Sequence, residues 1–341
     1  MTKFNTTEQQ IQTLRQQADD AIASDVRSLN GALEKVVSLN KDIQRQTLLG
    51  GDTYALMDER QRVTSGIAKI IPITEIPREN GRIMLLAASG QVLADLDHAE
   101  FGFSPTPGIG ATDTHAAGTL SAVTLDGRPL DARKASLQSG RLGANLDLRD
   151  QIAPDAQNRL DALARDLLDR FSGPSTDASL ATGELGLFTL DPPATLPPDS
   201  VGLAGQMRLT SRINPSTDDG LWRLRTGLNA TAPGPTLDTT NLANMLNAVE
   251  KPTTLQPGTP KRDLTGHAAA QVSALATARL ASDTDLAHAQ ARHSALSEDL
   301  ANRGVDTDTQ MQNLLALERA YAANARVLSA VDTMMRTLLE V

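Results

Sequence analysis

The chain has 341 residues, 40% of them hydrophobic and 21% charged, with a formal net charge of −9. That length holds two or three compact units with real cores, but the acidic balance supplies neither the basic face that phosphate binding needs nor a polybasic patch for an anionic membrane. There is no cysteine, and aromatics are limited to one Trp, two Tyr and five Phe, so disulfides, thiolate metal sites and a cysteine nucleophile are excluded and aromatic ligand platforms are scarce.

The first residues carry no apolar core of a cleaved secretory signal, and no apolar run reaches the roughly 18 residues of a bilayer span. Composition by itself points to the cytoplasm. Residues 6–47 read as a long helix: Ile22, Leu29, Val36 and Ile43 recur every seven, with Ala32 and Leu39 between them. Val26, Leu33 and Val37 widen the seam, and Asp25 interrupts it at a core-type position. Gly50 and Gly51, after Leu48-Leu49, suit a C-cap, and a second helix over 53–70 completes an αα-hairpin before Pro72.

From 71 the period shortens. Glu79-Asn80-Gly81-Arg82 predicts a type I′ turn, because Asn-Gly takes up positive φ angles, and strands are expected over 83–87 and 92–94 around Ser89-Gly90-Gln91. Residues 101–118 read as a Gly/Pro loop and 120–130 as a hairpin turning at Asp126-Gly127. Helix returns near Leu142, with Pro154 suited to a first turn, and Leu160, Leu163, Ala164, Leu167, Leu168 and Phe171 on one face. Ser172-Gly173-Pro174-Ser175 stops it. Residues 173–260 are rich in Pro, Gly, Thr and Asp and read as long loops with little regular structure, broken by apolar pieces at 185–190, 201–209 and 242–249. An Ala-rich helix over about 265–302 carries Val272, Leu275, Leu286, Leu296 and Leu300; Gly304 breaks it. Asp306-Thr307-Asp308 caps a last helix that runs to Val341.

The expected fold is mainly α with a β-rich subdomain (α+β): an elongated, discontinuous helical bundle plus a small β unit and long loops. Its segments are a helical hairpin (1–70), the β-rich subdomain (71–140), a returning helix (141–172), a loop-rich region (173–260), a further helix (261–304) and a C-terminal axial assembly helix (305–341).

In that last helix Leu314, Leu317, Tyr321, Leu328, Val331, Met335 and Leu338 form a 3-4 seam, with Asn324 at a core position of the kind that fixes register. Met311, Leu315, Ala322, Ala325, Met334 and Leu339 extend it sideways. The helix either folds back on the preceding one or packs on helices of other subunits. The second reading is favoured, because the apolar face reaches the second-last residues, where chain ends are normally polar and frayed.

Chemical sites are sparse. His288 and His293 are five apart, whereas zinc ligands on a helix prefer three or four, so they read as surface residues. Asp306-x-Asp308-x-Gln310 starts like a calcium loop but lacks its Gly and Glu, leaving an N-cap. Gly202-Leu203-Ala204-Gly205-Gln206 lacks the Gly-Lys-Ser/Thr of a phosphate loop. Asp58, Glu59 and Asp150 stand beside arginines and read as surface ion pairs, and Trp222 as a local anchor. No catalytic, cofactor-binding or metal residue is expected. An enzyme site within 173–260 is the alternative of a different class, and a pocket with converging polar groups there would support it.

Arg303-Gly304-Val305-Asp306-Thr307-Asp308, the stretch from Leu314 to Leu328, Asp332 and Leu338-Leu339 resemble the C-terminus of flagellar axial proteins. Leu29-Asn30 and Leu39-Asn40, then Leu56-Met57-Asp58-Glu59-Arg60-Gln61, then Ser139-Gly140-Arg141-Leu142-Gly143 through Arg149-Asp150, and Gly186-Leu187-Phe188 resemble, in order, the flagellar hook-associated protein 1 (FlgK) family. The resemblance implies a structural subunit at the hook–filament junction, with no enzymatic activity and no cofactor. It implies export through the flagellar type III channel without a cleaved signal peptide, and an extracellular place in the flagellum instead of the cytoplasm. The implied partners are copies of itself in a ring, hook protein, the second hook–filament junction protein and an export chaperone, with no nucleic acid and no membrane insertion. Leu314, Leu317, Tyr321, Asn324, Leu328, Val331, Met335 and Leu338 are the implied assembly and chaperone interface. Hook and distal rod proteins carry similar C-terminal helices and are the alternative. The family's opening Asn-Asn-x-x-Asn-type motif has no counterpart, so the last helix is expected to need a mate supplied from elsewhere.

Overall fold

The computed structural model describes residues 2–130, 140–192, 195–213 and 220–303. The chain divides into two compact units, Met1–Ala269 and Ala270–Val341. Helix α1 (Thr2–Leu48) begins earlier than its apolar period, and Ile22, Leu29, Leu33, Val36 and Ile43 are fully buried along it. Asp25 does not make the seam leak. It is buried because Arg141, from a distant segment, closes over it, with Nε donating to Oδ1 at 2.9 Å and to Oδ2 at 3.1 Å. The helix ends at the two glycines, with Gly50 at φ 71° and the Gly51 N–H donating to the Gln46 carbonyl at 2.9 Å. Helix α2 (Tyr54–Ile70) then packs back on α1.

Strands β1 (Ile73–Pro77), β2 (Ile83–Ala87) and β3 (Val92–Ala94) form an antiparallel sheet in that order, with Pro77 opposite Ile83. At the β1–β2 turn Asn80 (φ 57°) and Gly81 (φ 75°) both take positive φ, as the Asn-Gly signal requires. Gly81 also packs closely: a Cβ there would stand 3.0 Å from Ile43 Cγ2. A second sheet pairs β4 (Phe101–Gly102), β5 (Thr124–Leu125) and β6 (Arg128–Pro129). Its hairpin turns at Asp126 (φ 50°) and Gly127 (φ 74°) but is shorter than the expected 120–130. Leu85, Leu93, Phe101, Val123 and Leu125 share one core with Leu29, Leu33 and Val36 of α1 and Ile67 of α2.

Helix α3 (Arg141–Asp147) passes through a π-turn (Leu148–Ile152) directly into α4 (Ala153–Arg170). Pro154 stands in the first turn of α4, as expected, directly after the widened turn. Proline has no N–H to give, and the Arg149 carbonyl five residues earlier accepts Arg15 Nε at 3.1 Å instead. Ala164, Leu167 and Leu168 of α4 and Phe171 at its C-terminal cap build a second core with Leu190, Leu203 and Met207, and Phe4 of α1 joins it.

Residues 173–260 are more regular than their composition suggests. The apolar pieces become β7 (Phe188–Leu190), α5 (Leu203–Gln206) with β8 (Met207–Leu209), and α7 (Thr240–Glu250), with a short α6 (Arg223–Thr226) before it. Strands β7 and β8 pair antiparallel; Leu190, Leu203 and Met207 are buried in the second core, and Met245 and Val249 of α7 pack against it. Helix α8 runs from Leu264 to Arg303. The mainly α fold with small antiparallel sheets is as expected.

Candidate functional site

The expected interface of Leu314, Leu317, Tyr321, Asn324, Leu328, Val331, Met335 and Leu338 lies outside the described residues, as do the cap at Asp306-Thr307-Asp308 and the break at Gly304. The helix that precedes them is described. From Val272 to Leu300, α8 leaves Val272, Leu275, Leu286, Leu296 and Leu300 between 56% and 73% exposed. Their spacing keeps them on one stripe, with Arg279, Ala289 and His293 at the intervening positions. A row of large exposed apolar side chains is the signature of a contact surface. His288 and His293 are exposed, as read from their spacing.

The first turns of α8 tell a different story. His267 is buried, and its Nε2 lies 2.9 Å from the Thr253 carbonyl oxygen. A carbonyl only accepts, so Nε2 carries the proton. The Thr253 hydroxyl donates to Asp166 Oδ1 at 2.6 Å, and Arg170 pairs Nε with Asp166 Oδ2 at 2.6 Å. Arg170 Nη1 donates to the Ala248 and Val249 carbonyls at 2.6 and 3.2 Å, closing the C-terminus of α7. A groove of about 420 Å³ opens beside this cluster, lined by Asp169, Asn244, Asn247 and Lys251 among others. Polar groups do converge here, yet the buried ones are committed to structure. The His267 nitrogen nearest Thr253 already holds its proton and cannot take one from the hydroxyl, so the cluster is a cap and not a nucleophile–base pair.

The residues that carry the family resemblance hold the β-rich unit on the helices. Leu29 and Leu39 enter the core, and the asparagine after each binds a strand backbone from both sides. Asn30 donates Nδ2 to the Phe101 carbonyl at 2.8 Å and accepts the Phe101 N–H at 2.9 Å. Asn40 does the same to Ile83, at 2.7 and 3.2 Å. Each side-chain amide acts as the next peptide group of a sheet. Arg60, in the Leu56–Gln61 motif, donates Nη1 to Asn40 Oδ1 at 2.9 Å and to the Gly81 carbonyl at 2.8 Å, tying the turn to the same asparagine. Burial depresses the Arg60 pKa.

Asp150 was expected in a surface ion pair; the pair is present, but Asp150 is half-buried and its partner arginine lies in the interior. Arg149 is fully buried, with Nη1 on Asp19 at 2.7 Å, Nε on Asp150 at 2.8 Å and Nη2 on the Ser121 carbonyl at 3.0 Å. Burial opposes its charge, but hydrogen bonds and attraction from Asp150 and Asp19 prevail and raise its pKa. Arg15 donates Nη1 to the Gly110 carbonyl at 2.8 Å, and burial lowers its pKa. Together Arg15 and Arg149 pin the 104–123 loop to α1 and the π-turn. No local periodicity marks Arg15, Asp19 or Asp161, and sequence reading missed all three. Glu59 pairs with Arg62 at 2.8 Å at the surface, as expected, and Asp58 is exposed. Trp222 is half-buried, with the Arg223 guanidinium 5.1 Å from its ring centre.

The family description "Flagellar hook-associated protein FlgK helical domain" matches residues 1–187, and "Flagellar basal body rod FlgEFG protein C-terminal" matches 300–341. Flagellar hook-associated protein 1 of Salmonella typhimurium is 26% identical over 219 residues, which cover 63% of this chain and 39% of that protein. The Escherichia coli K12 protein of the same name is 24% identical over 198 residues, covering 57% and 36%. The chain thus matches less than two fifths of the length of these curated relatives. The solved structure of the flagellar hook junction protein FlgK from Burkholderia pseudomallei aligns over 55% of this chain and 34% of that one, at 21% identity and a TM-score of 0.43. With more than half of its residues matched by the helical-domain description, the chain belongs to the FlgK family of flagellar hook-associated proteins.

Proposed function

We propose that the chain is a non-enzymatic structural subunit of the bacterial flagellum at the hook–filament junction, lying outside the cell after export without a cleaved signal peptide. The observation that carries this reading is the order of the two family matches, a FlgK helical domain over 1–187 and an axial-protein C-terminal region over 300–341. The C-terminal match is common to hook and rod proteins; the helical-domain match favours the junction subunit. The division into 1–70, 71–140, 141–172, 173–260, 261–304 and 305–341 belongs to the same proposal. So does assembly through Leu314, Leu317, Tyr321, Asn324, Leu328, Val331, Met335 and Leu338.

The proposed neighbours are copies of the chain in a ring, hook protein and the second junction protein, with an export chaperone covering 305–341 beforehand. The acidic net charge supports protein partners over nucleic acid or an anionic bilayer. The commitment of Asp166, Arg170, Thr253 and His267 to a helix cap supports a role without catalysis.

The test is hydrogen exchange on the purified chain, alone and with purified chaperone, hook protein and second junction protein in turn. Residues 305–341 are expected to gain protection with a partner, and Leu317→Asp with Leu328→Asp to remove the gain. Exchange unchanged by all three proteins would overturn the proposal.

A further inference from the structure

The sequence holds two Asn-Gly pairs, Asn30-Gly31 and Asn80-Gly81, and the fold treats them differently. Asn30 stands inside α1, and both ends of its side-chain amide are taken by the Phe101 backbone, at 2.8 and 2.9 Å. Asn80 stands exposed in the β1–β2 turn, and among the described residues its side chain meets no hydrogen-bond partner. The turn itself selects this pair. Positive φ at residue 80 favours Asn, Asp or Gly. At residue 81 a Cβ would stand 3.0 Å from Ile43 Cγ2 and 3.1 Å from Met57 Cε, so only glycine fits.

An asparagine followed by glycine carries its own electrophile and nucleophile. The Gly81 nitrogen gives its proton to hydroxide and bonds to Asn80 Cγ; the Cγ–Nδ2 bond breaks, and ammonia leaves with a proton taken from water. Water then opens the five-membered imide at either carbonyl, giving aspartate or isoaspartate at residue 80. Hydroxide and water are the only co-reactants. The imide ring is nearly flat, so closing it needs the Asn80 Cα–Cβ bond eclipsed with the peptide bond to Gly81. At ψ 36° the two are far from eclipsed, so the closed turn does not react. It is kept closed by Arg60 Nη1 on the Gly81 carbonyl and by the Arg78 N–H on the Arg82 carbonyl, both at 2.8 Å.

We propose that Asn80 is a site of spontaneous deamidation that records opening of the β1–β2 turn, while α1 and Phe101 shield Asn30 from the same reaction. The turn opens locally, with the helices in place, and the imide forms from the opened state. Isoaspartate carries the main chain through Cβ and adds one backbone atom before Gly81. The Arg82 N–H reaches the Glu79 carbonyl at 3.4 Å across this turn, and the extra atom separates them. Gly81 then leaves its seat on Ile43, Met57 and Arg60. Modification therefore fixes the open form, and refolding does not reverse it.

The experiment keeps the full chain in mildly alkaline buffer, native and in urea, and follows residues 30 and 80 by peptide mapping with mass spectrometry. Enzymatic methylation reads the isoaspartate. In urea the two sites are expected to react within about twofold of each other, since both precede glycine. In the native chain Asn80 is expected to react at least about tenfold faster than Asn30, yet more slowly than in urea. Arg60→Ala frees the Gly81 carbonyl and is expected to raise the Asn80 rate roughly threefold or more, with Asn30 still slow. Asn30 in the same chain reports whether that variant stays folded; if it does not, the wild-type contrast alone decides. Native Asn80 as slow as Asn30, or as fast as in urea, would sink the proposal, as would a folded Arg60→Ala chain with an unchanged Asn80 rate.

Discussion

Replacing Asn40 by alanine isolates what the Leu-Asn repeat contributes. The side chain is buried, and three bonds go with it: Nδ2 to the Ile83 carbonyl at 2.7 Å, the Ile83 N–H to Oδ1 at 3.2 Å and Arg60 Nη1 to Oδ1 at 2.9 Å. A buried polar group left without a partner costs about 1–3 kcal/mol. The Ile83 N–H and carbonyl each lose their side-chain partner, while Arg60 keeps the Gly81 carbonyl at 2.8 Å and adds little. The sum is about 2–6 kcal/mol. Because the chain has two units, a single global melt is a poor readout. The primary assay is the opening free energy of the β2 amides by hydrogen exchange, with a urea midpoint as support. Asn40→Asp keeps the acceptor for the Ile83 N–H but loses the donor to its carbonyl, so an intermediate loss is expected. A loss below about 1 kcal/mol for Asn40→Ala, or one that spares β2, would refute the view that the amide stands in for a sheet partner.

Asn30→Ala removes the equivalent pair at Phe101 from a half-buried site and is expected to cost about 1–3 kcal/mol, seen as faster exchange at Phe101. Gly140→Ala meets φ 98° and a Cβ position 2.5 Å from the Ile70 carbonyl oxygen, so a loss of about 2 kcal/mol or more is expected in urea unfolding. Asp19→Ala removes one of the two carboxylates on buried Arg149, which keeps Asp150 at 2.8 Å, and is expected to cost about 1.5–3 kcal/mol, read in the same way. Leu286→Asp with Leu296→Asp alters exposed positions and is expected to change stability by less than about 0.5 kcal/mol per site. The same pair is expected to weaken association with hook protein or the second junction protein in a pull-down.

The parts of the fold legible in sequence are those set by local rules. The α1 seam shows as a period in apolar residues, and the turns at Asn80-Gly81 and Asp126-Gly127 show because positive φ selects their residues. What escaped depends on partners far along the chain. Asp25 reads as a flaw until Arg141, 116 residues away, is placed over it. Asp150 reads as a surface charge until Asp19 and Arg149, 130 residues apart, meet beside it. The elements in 173–260 escaped for another reason: strands of three residues are too short to show a period, and only the second core says which side faces inward. The Leu-Asn pairs were legible as a resemblance but not as a mechanism, since their partner is backbone and backbone leaves no mark in composition.

That last point explains how a match over 187 residues coexists with 26% identity to a relative. A core built from Leu, Ile and Val tolerates swaps of similar volume, typically at less than about 1.5 kcal/mol each. A side chain that must meet a particular N–H and carbonyl at once, or a residue that must leave room for a carbonyl, has few substitutes. Asn30, Asn40, Arg60, Gly140 and Arg149 are all of this kind, and all lie in the stretches through which the chain resembles its family. Volume-conserving swaps at several first-core positions, such as Leu33→Met and Leu29→Ile, should therefore leave the β-rich unit docked. Any one of the five polar or glycine changes should loosen it while the helices persist. Hydrogen exchange of β2 and β4 against α1 separates these outcomes, and equal sensitivity of both classes would show that packing, not backbone pairing, holds the unit in place.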